Sequence, residues 1–175
     1  MLRGELVGLV PLQTTDELAL YRWLNDPRVR AKAGRPEWRA AYSLEHVQDI
    51  IQERLARPSN LDLVVVDLKG EGELGLVGLA QLMPMRDSAQ LYLIWGEKEG
   101  DPTLEALALA VVYAFNSQSL HRLWTRVPAV EMERIALFEQ VGFKKEGVLR
   151  EDHFNGGGWR DSVLLSMLSA EARPC

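Results

Sequence analysis

The chain has 175 residues, 47% of them hydrophobic and 26% charged, with a formal net charge of −5. That length supports one domain with a real core, here taken as residues 1–175, and the composition is that of an ordinary soluble globular chain. The acidic balance and the lack of a long basic run exclude a nucleic-acid footprint, while a lone cysteine, Cys175, excludes an internal disulfide framework and fits a reducing, cytoplasmic setting.

The start, through Gln13, is too short and too broken by Arg3 and Glu5 for a signal peptide or a membrane span. Within it, Glu5 to Leu12 reads as a first strand closed by Pro11. Thr14-Thr15-Asp16-Glu17 starts a helix carrying Leu18, Leu20, Tyr21, Trp23 and Leu24, which ends at Asn25-Asp26-Pro27. Residues 28–41 are basic, with Arg28, Arg30, Lys32, Arg35 and Arg39, and read as a loop. Ser43 opens a second helix with Val47, Ile50, Ile51 and Leu55 on one face, stopping before Pro58. Leu61 to Leu68 and Leu74 to Leu82 form a hairpin across the turn at Gly70 and Gly72. After a turn at Met83–Ser88 comes the stretch on which the chain turns. Leu91–Trp95 is a buried strand, a tight loop follows, and an apolar helix runs from Asp101-Pro102 to about Ser117, with Asp101 as its N-cap. His121 to Val127 is a further strand and Glu131 to Val141 a short helix stopped by Gly142. Val148–Phe154 and Ser162–Leu168 close the chain as a hairpin around residues 155–158. The order βααβββαβαββ predicts a mixed sheet with helices on both faces, an α/β or α+β architecture.

A strand that feeds a helix N-terminus through a tight loop is a natural anion site, because free backbone N–H groups and the helix dipole both face the loop. Three patterns sharpen this. They are Trp23-Leu24-Asn25-Asp26-Pro27, the run Ala136-Leu137-Phe138-Glu139-Gln140-Val141-Gly142-Phe143, and Gly147-Val148-Leu149-Arg150-Glu151 followed by a Gly turn and Arg160-Asp161. In this order they resemble the GNAT N-acetyltransferase superfamily over essentially the whole chain, most of all the branch that acetylates protein N-termini, including those of ribosomal proteins.

The resemblance implies the GNAT fold and acetyl-CoA bound between two splayed strands, here Leu91–Trp95 and Leu123–Val127. It implies a pantetheine arm paired with backbone near Ile94 and Trp95, and a pyrophosphate on the loop carrying Gly96, Gly100, Asp101 and Thr103. It implies an amine acceptor, such as a protein N-terminus, in a groove where Trp23, Arg28, Trp38 and His153 are the candidates. The amine would attack the thioester directly, with backbone N–H near Ile94 and Trp95 polarising the carbonyl. The phosphate loop departs from the family's Gln/Arg-x-x-Gly-x-Gly/Ala pattern. It reads Gly96-Glu97-Lys98-Glu99-Gly100-Asp101, about two residues short, with Lys98 alone facing three carboxylates. Losing two phosphate hydrogen bonds weakens binding by roughly 3–6 kcal/mol. Glu131 stands where the family has Asn and is the candidate general base, and Phe138 stands at the usual Tyr position and has no proton to give. A second reading is therefore a catalytically silent GNAT-fold binding or regulatory protein, with a homodimer among its assemblies. A third is an enzyme for a different acyl carrier. His46, His121 and His153 are too scattered for a metal site.

Overall fold

The structure is a computed structural model that describes residues 1–33, 41–70, 72–83, 87–97, 99–154 and 157–172. Its strands are β1 (Leu2–Arg3), β2 (Val7–Pro11), β3 (Leu61–Asp67), β4 (Glu73–Met83), β5 (Ser88–Trp95), β6 (Arg122–Pro128), β7 (Lys144–Phe154) and β8 (Trp159–Leu168). Its helices are α1 (Glu17–Asn25), α2 (Pro27–Ala33), α3 (Leu44–Ala56), α4 (Asp101–Asn116) and α5 (Met132–Val141). Among the described residues the strands form one sheet in the order β1-β2-β3-β4-β5-β6-β8-β7. No described helix is long and apolar enough to cross a membrane.

Every described neighbour pair in the sheet is antiparallel except β5–β6. The two parallel strands meet only at Ser88↔Arg122, Ala89↔Leu123 and Gln90↔Trp124, and beyond those pairs they diverge. The predicted splay between Leu91–Trp95 and Leu123–Val127 is therefore present. β5 is buried on both faces, and its side chains alternate between two cores as strand geometry requires. Ala89, Leu91, Leu93 and Trp95 join α4 and α5 on one face; Tyr92 and Ile94 join α1, α2 and α3 on the other. α4 packs through Thr103, Ala106, Leu107, Ala110, Val111 and Ala114, a stripe whose small residues let the helix lie close to the sheet.

Several expectations change: β1 at Leu2–Arg3 precedes the expected first strand, and β8 starts at Trp159 rather than Ser162. Residues 28–41 are not all loop, because α2 occupies Pro27–Ala33. Pro27 stops α1 but suits the first position of a new helix, and Asp26 Oδ1 accepts the Arg28 N–H at 2.8 Å across that start. The basic run disguises a helix whose Val29 is buried. β7 starts at Lys144 rather than Val148. Lys144 and Lys145 pair with Ser166 and Leu165 of β8, the register then shifts before Gly147, and Glu146 at that irregularity takes Arg122 at 2.8 Å and Ser166 at 2.7 Å. α5 ends as expected at Gly142, whose φ of +117° closes the helix in the left-handed conformation.

Candidate active site in the strand splay

The splay exposes one edge of β5 to the gap. Gly96 N donates to Leu74 O at 2.9 Å, and the antiparallel alternation then turns the peptide groups of Ile94 toward β4. Leu93 and Trp95 are the residues whose N–H and C=O point into the gap. This corrects the expectation for Ile94: its backbone is committed to the sheet and its side chain is core at 1% exposure. Trp95 has its backbone toward the gap and its indole buried.

The loop after β5 is organised differently from the sequence expectation. Gly96 does not free the backbone for a phosphate. A methyl group there would come within 2.1 Å of Trp23 Nε1, so Gly96 is the space into which that indole packs. Trp23 is thereby a buried core residue rather than part of an open acceptor groove. Asp101 is not the cap of α4. It is the first helical residue, exposed and without a cap bond, and the N-cap position belongs to Gly100, whose N–H donates to Thr103 Oγ1 at 3.1 Å. Thr103 is fully buried and braces the turn from inside. Among the described residues no carboxylate is bonded to the first-turn amides of α4, which keeps its dipole.

The acid that matters is Glu99, with a side chain only 5% exposed. Its Oε1 accepts from Arg134 Nε at 3.0 Å and from Arg134 Nη2, and Lys32 Nζ lies 3.6 Å away. Among the described residues, Glu99 Oε2 is buried without a hydrogen-bond partner. Leaving one acceptor of a buried charge unsatisfied costs about 1–3 kcal/mol. Arg134, 3% exposed, also donates through Nη1 to Lys32 O at 2.7 Å and approaches Leu93 O at 3.4 Å. It starts on α5, over one face of the sheet, and reaches α2, over the other. Its side chain therefore threads the gap between β5 and β6. The carbonyl end of α2 favours a cation at that point. Of the loop's acids, Glu99 is opposed by Arg134 and Lys32; Lys98 lies outside the described residues.

Neither cation was singled out as a site residue from the sequence. Arg134 follows Glu133 on a helix and reads as one more surface charge, and Lys32 sat in a supposed loop. The available signal was the spacing of Arg134, Ile135 and Phe138, which share the buried face of α5.

The remaining candidates fall as follows. Glu131 is the half-buried N-cap of α5, with its N–H on Pro128 O at 2.9 Å and no side-chain cap bond. Phe138 is core at 1% exposure, edge-on to Phe143 with centroids 5.2 Å apart. Arg28 is exposed and forks onto Asp26, whose carboxyl is held down to about 2 chiefly by that hydrogen bond. His153 does not open onto a groove: it is 6% exposed, with Nδ1 3.2 Å from Ser162 Oγ in the β7–β8 hairpin. Trp38 lies outside the described residues. Trp159 is exposed at 57% and stacks edge-on with Phe154.

Comparison with known proteins places this geometry. The profile of the family described as "Acetyltransferase (GNAT) domain" matches residues 7–144. A probable N-acetyltransferase of Bacillus subtilis, YjcK, is 27% identical over 182 aligned residues, spanning 98% of each chain. The spermidine N(1)-acetyltransferase of Vibrio cholerae is 24% identical over 131 residues, 74% of this chain and 75% of that one. In fold, the chain is similar to the crystal structure of a Vibrio cholerae spermidine N-acetyltransferase in complex with CoA and spermine, with a TM-score of 0.87, 20% identity and coverage of 96% and 98%. The splayed parallel pair, the strand–loop–helix beside it and a profile match over most of the chain agree: the chain belongs to the GNAT acetyltransferase family.

Proposed function

We propose that the protein transfers an acetyl group from acetyl-CoA to a primary amine. The observation that carries this reading is the gap between β5 and β6, with the Leu93 and Trp95 peptide groups along one side and the uncapped start of α4 at its end. These residues fit an extended cofactor with an anionic end, because a stand-in anion already sits there: the Glu99 carboxylate, gripped by Arg134 and Lys32. Acetyl-CoA, when bound, supplies a thioester whose acetyl group goes to the amine nitrogen as that nitrogen gives up a proton. The chain's own part is to hold and orient. β5 offers the Trp95 peptide group on the side facing the gap, beside the Leu93 carbonyl that Arg134 Nη1 approaches at 3.4 Å, and the Trp95, Leu93 and Val127 side chains are buried next to it. Glu131, at the start of α5 with an uncommitted side chain, is the group to take the amine's proton. Phe138 provides no proton, so sulfur leaves as the thiolate; a thiol pKa of about 8.5 makes that tolerable.

The acceptor is an amine of cationic character, which suits a chain of net charge −5. The Vibrio cholerae relatives support a polyamine, and the sequence resemblance supports a protein N-terminus. The test is acetyl-CoA turnover against a panel holding spermidine, a peptide with a free N-terminus and the same peptide with a blocked one. Turnover with spermidine alone assigns a polyamine, and turnover with the free peptide alone assigns an N-terminus. Acetyl-CoA that binds in calorimetry without turnover on either amine, or does not bind, favours the silent reading. That reading has its own support in the Arg134–Glu99 ion pair lying across the cleft.

A further inference from the structure

We propose that Glu99 is a built-in substitute for the cofactor's diphosphate, and that Arg134 and Lys32 bind that diphosphate once Glu99 has moved aside. The inference rests on the acetyl-transfer reading and goes beyond it by naming a cation pair outside the usual phosphate loop. First, the guanidinium of Arg134 is aimed. Lys32 O at 2.7 Å and Leu93 O at 3.4 Å fix it in the strand gap, leaving Nε and Nη2 to face an anion. Arginine's planar fork suits phosphate as well as carboxylate. Second, Glu99 fills that place imperfectly: one oxygen takes Arg134 and Lys32, and the other is buried and unpartnered. A side chain bound so incompletely is exchangeable, and a phosphate oxygen that reached the α4 amides would be fully satisfied. Third, two cations face one carboxylate. A doubly charged diphosphate balances the pair where Glu99 cannot, and the exchange buries no new unpaired charge. The acidic loop then acts as an autoinhibitory contact that lets go to its own ligand.

The experiment is calorimetric titration of the full chain with CoA, and with pantetheine, which lacks the phosphates. The variants are Glu99→Gln, Arg134→Met and Lys32→Gln. Glu99→Gln is expected to bind CoA about tenfold tighter than wild type, with pantetheine unchanged, and Arg134→Met and Lys32→Gln to bind CoA about tenfold more weakly. Inorganic pyrophosphate is expected to raise the melting temperature of Glu99→Gln more than that of wild type, a readout that needs no catalysis. Lys32→Gln changes a partly exposed side chain and keeps the test alive if Arg134→Met does not fold. The proposal is overturned if CoA binds both proteins and Glu99→Gln binds it no tighter than wild type, if pyrophosphate stabilises Glu99→Gln no more than wild type, or if Arg134→Met binds CoA tighter, which would make Arg134 a plug. CoA silent on every protein while pyrophosphate stabilises Glu99→Gln would sink acetyl transfer and keep the anion pair. Acetyl-CoA bound and turned over alike by wild type and Glu99→Gln would do the reverse.

Discussion

Two carboxylates flank the first turn of α4 and are held in opposite ways. Glu105 accepts three backbone N–H groups, from Glu5 at 2.7 Å and from Leu6 and Val7 at 2.8 Å. It pins the chain start to α4, and each donor it meets is fixed by β2 or the turn before it. Glu99 leans on two long cationic side chains with one oxygen and leaves the other bare. A fully satisfied charge belongs to the scaffold, whereas a half-satisfied one is free to be replaced.

The largest expected effect is on the scaffold side. Glu105→Ala removes three charge-assisted bonds and is expected to cost about 3 kcal/mol in urea unfolding at pH 7. A loss below about 1 kcal/mol would show that the chain start finds water instead and that the two carboxylates differ little. Next comes Gly4→Ala. Its methyl group would sit 2.5 Å from the Glu105 carboxyl carbon, and it is expected to cost about 1–2 kcal/mol. In a Glu105→Ala background that penalty is expected to fall, since the three nearest atoms all belong to the Glu105 carboxylate.

The pH dependence separates the pair further. Burial pushes the Glu105 carboxyl up, but the backbone donors of Glu5, Val7 and Leu6, with Lys69 nearby, outweigh it and hold the group below the usual glutamate value. A folded-state pKa below the unfolded one contributes stability above the unfolded value, and that contribution is lost as pH falls through the folded one. The stability gap between wild type and Glu105→Gln is therefore expected to be full at pH 7 and to shrink on acidification from the ordinary glutamate range downward. A gap that stays constant with pH would assign Glu105 a packing role only.

The smallest effects belong to the loop. Glu99→Gln is expected to change stability by under about 1 kcal/mol, because glutamine keeps an acceptor oxygen for Arg134 and removes a buried charge whose second oxygen has no partner. A loss of about 3–5 kcal/mol, the cost of breaking a buried pair that the fold depends on, would erase the contrast with Glu105. Gly100→Ala, where a methyl group meets nothing within 4 Å, is expected to be neutral or to stabilise by up to about 1 kcal/mol.

The fold was legible because its signals are local. β3 and β5 are apolar runs, α4 carries an unbroken stripe, and Gly142 sits at a helix end. α2 was not, because Asp26-Pro27 ends one helix and starts another, and the cationic residues after it hide the buried Val29. The site was half legible. The splay, and Trp95 on its edge, followed from element order and resemblance, and the oddity of the acidic loop is plain in Glu97, Glu99 and Asp101. Which acid counts is decided by burial, and burial here comes from α2 and α5, far from the loop in sequence. Glu99 meets Arg134 across 35 positions, a distance at which spacing carries no code. Trp23 and Gly96 show the same limit: one looked like a groove residue and the other like a phosphate glycine, and each exists to fit the other.

That fit bears on speed. Gly96 is clasped by Trp23 and by the Leu74 carbonyl, and Gly100 is tied to Thr103, so Glu99 hangs between two fixed posts. If Glu99 gives way to an anion, the expected change is one of side-chain rotamer between those posts rather than an excursion of a lid. The acidic loop is then expected to lower the strength of binding more than its rate, and stopped-flow mixing with CoA checks this by the match of association rates between wild type and Glu99→Gln.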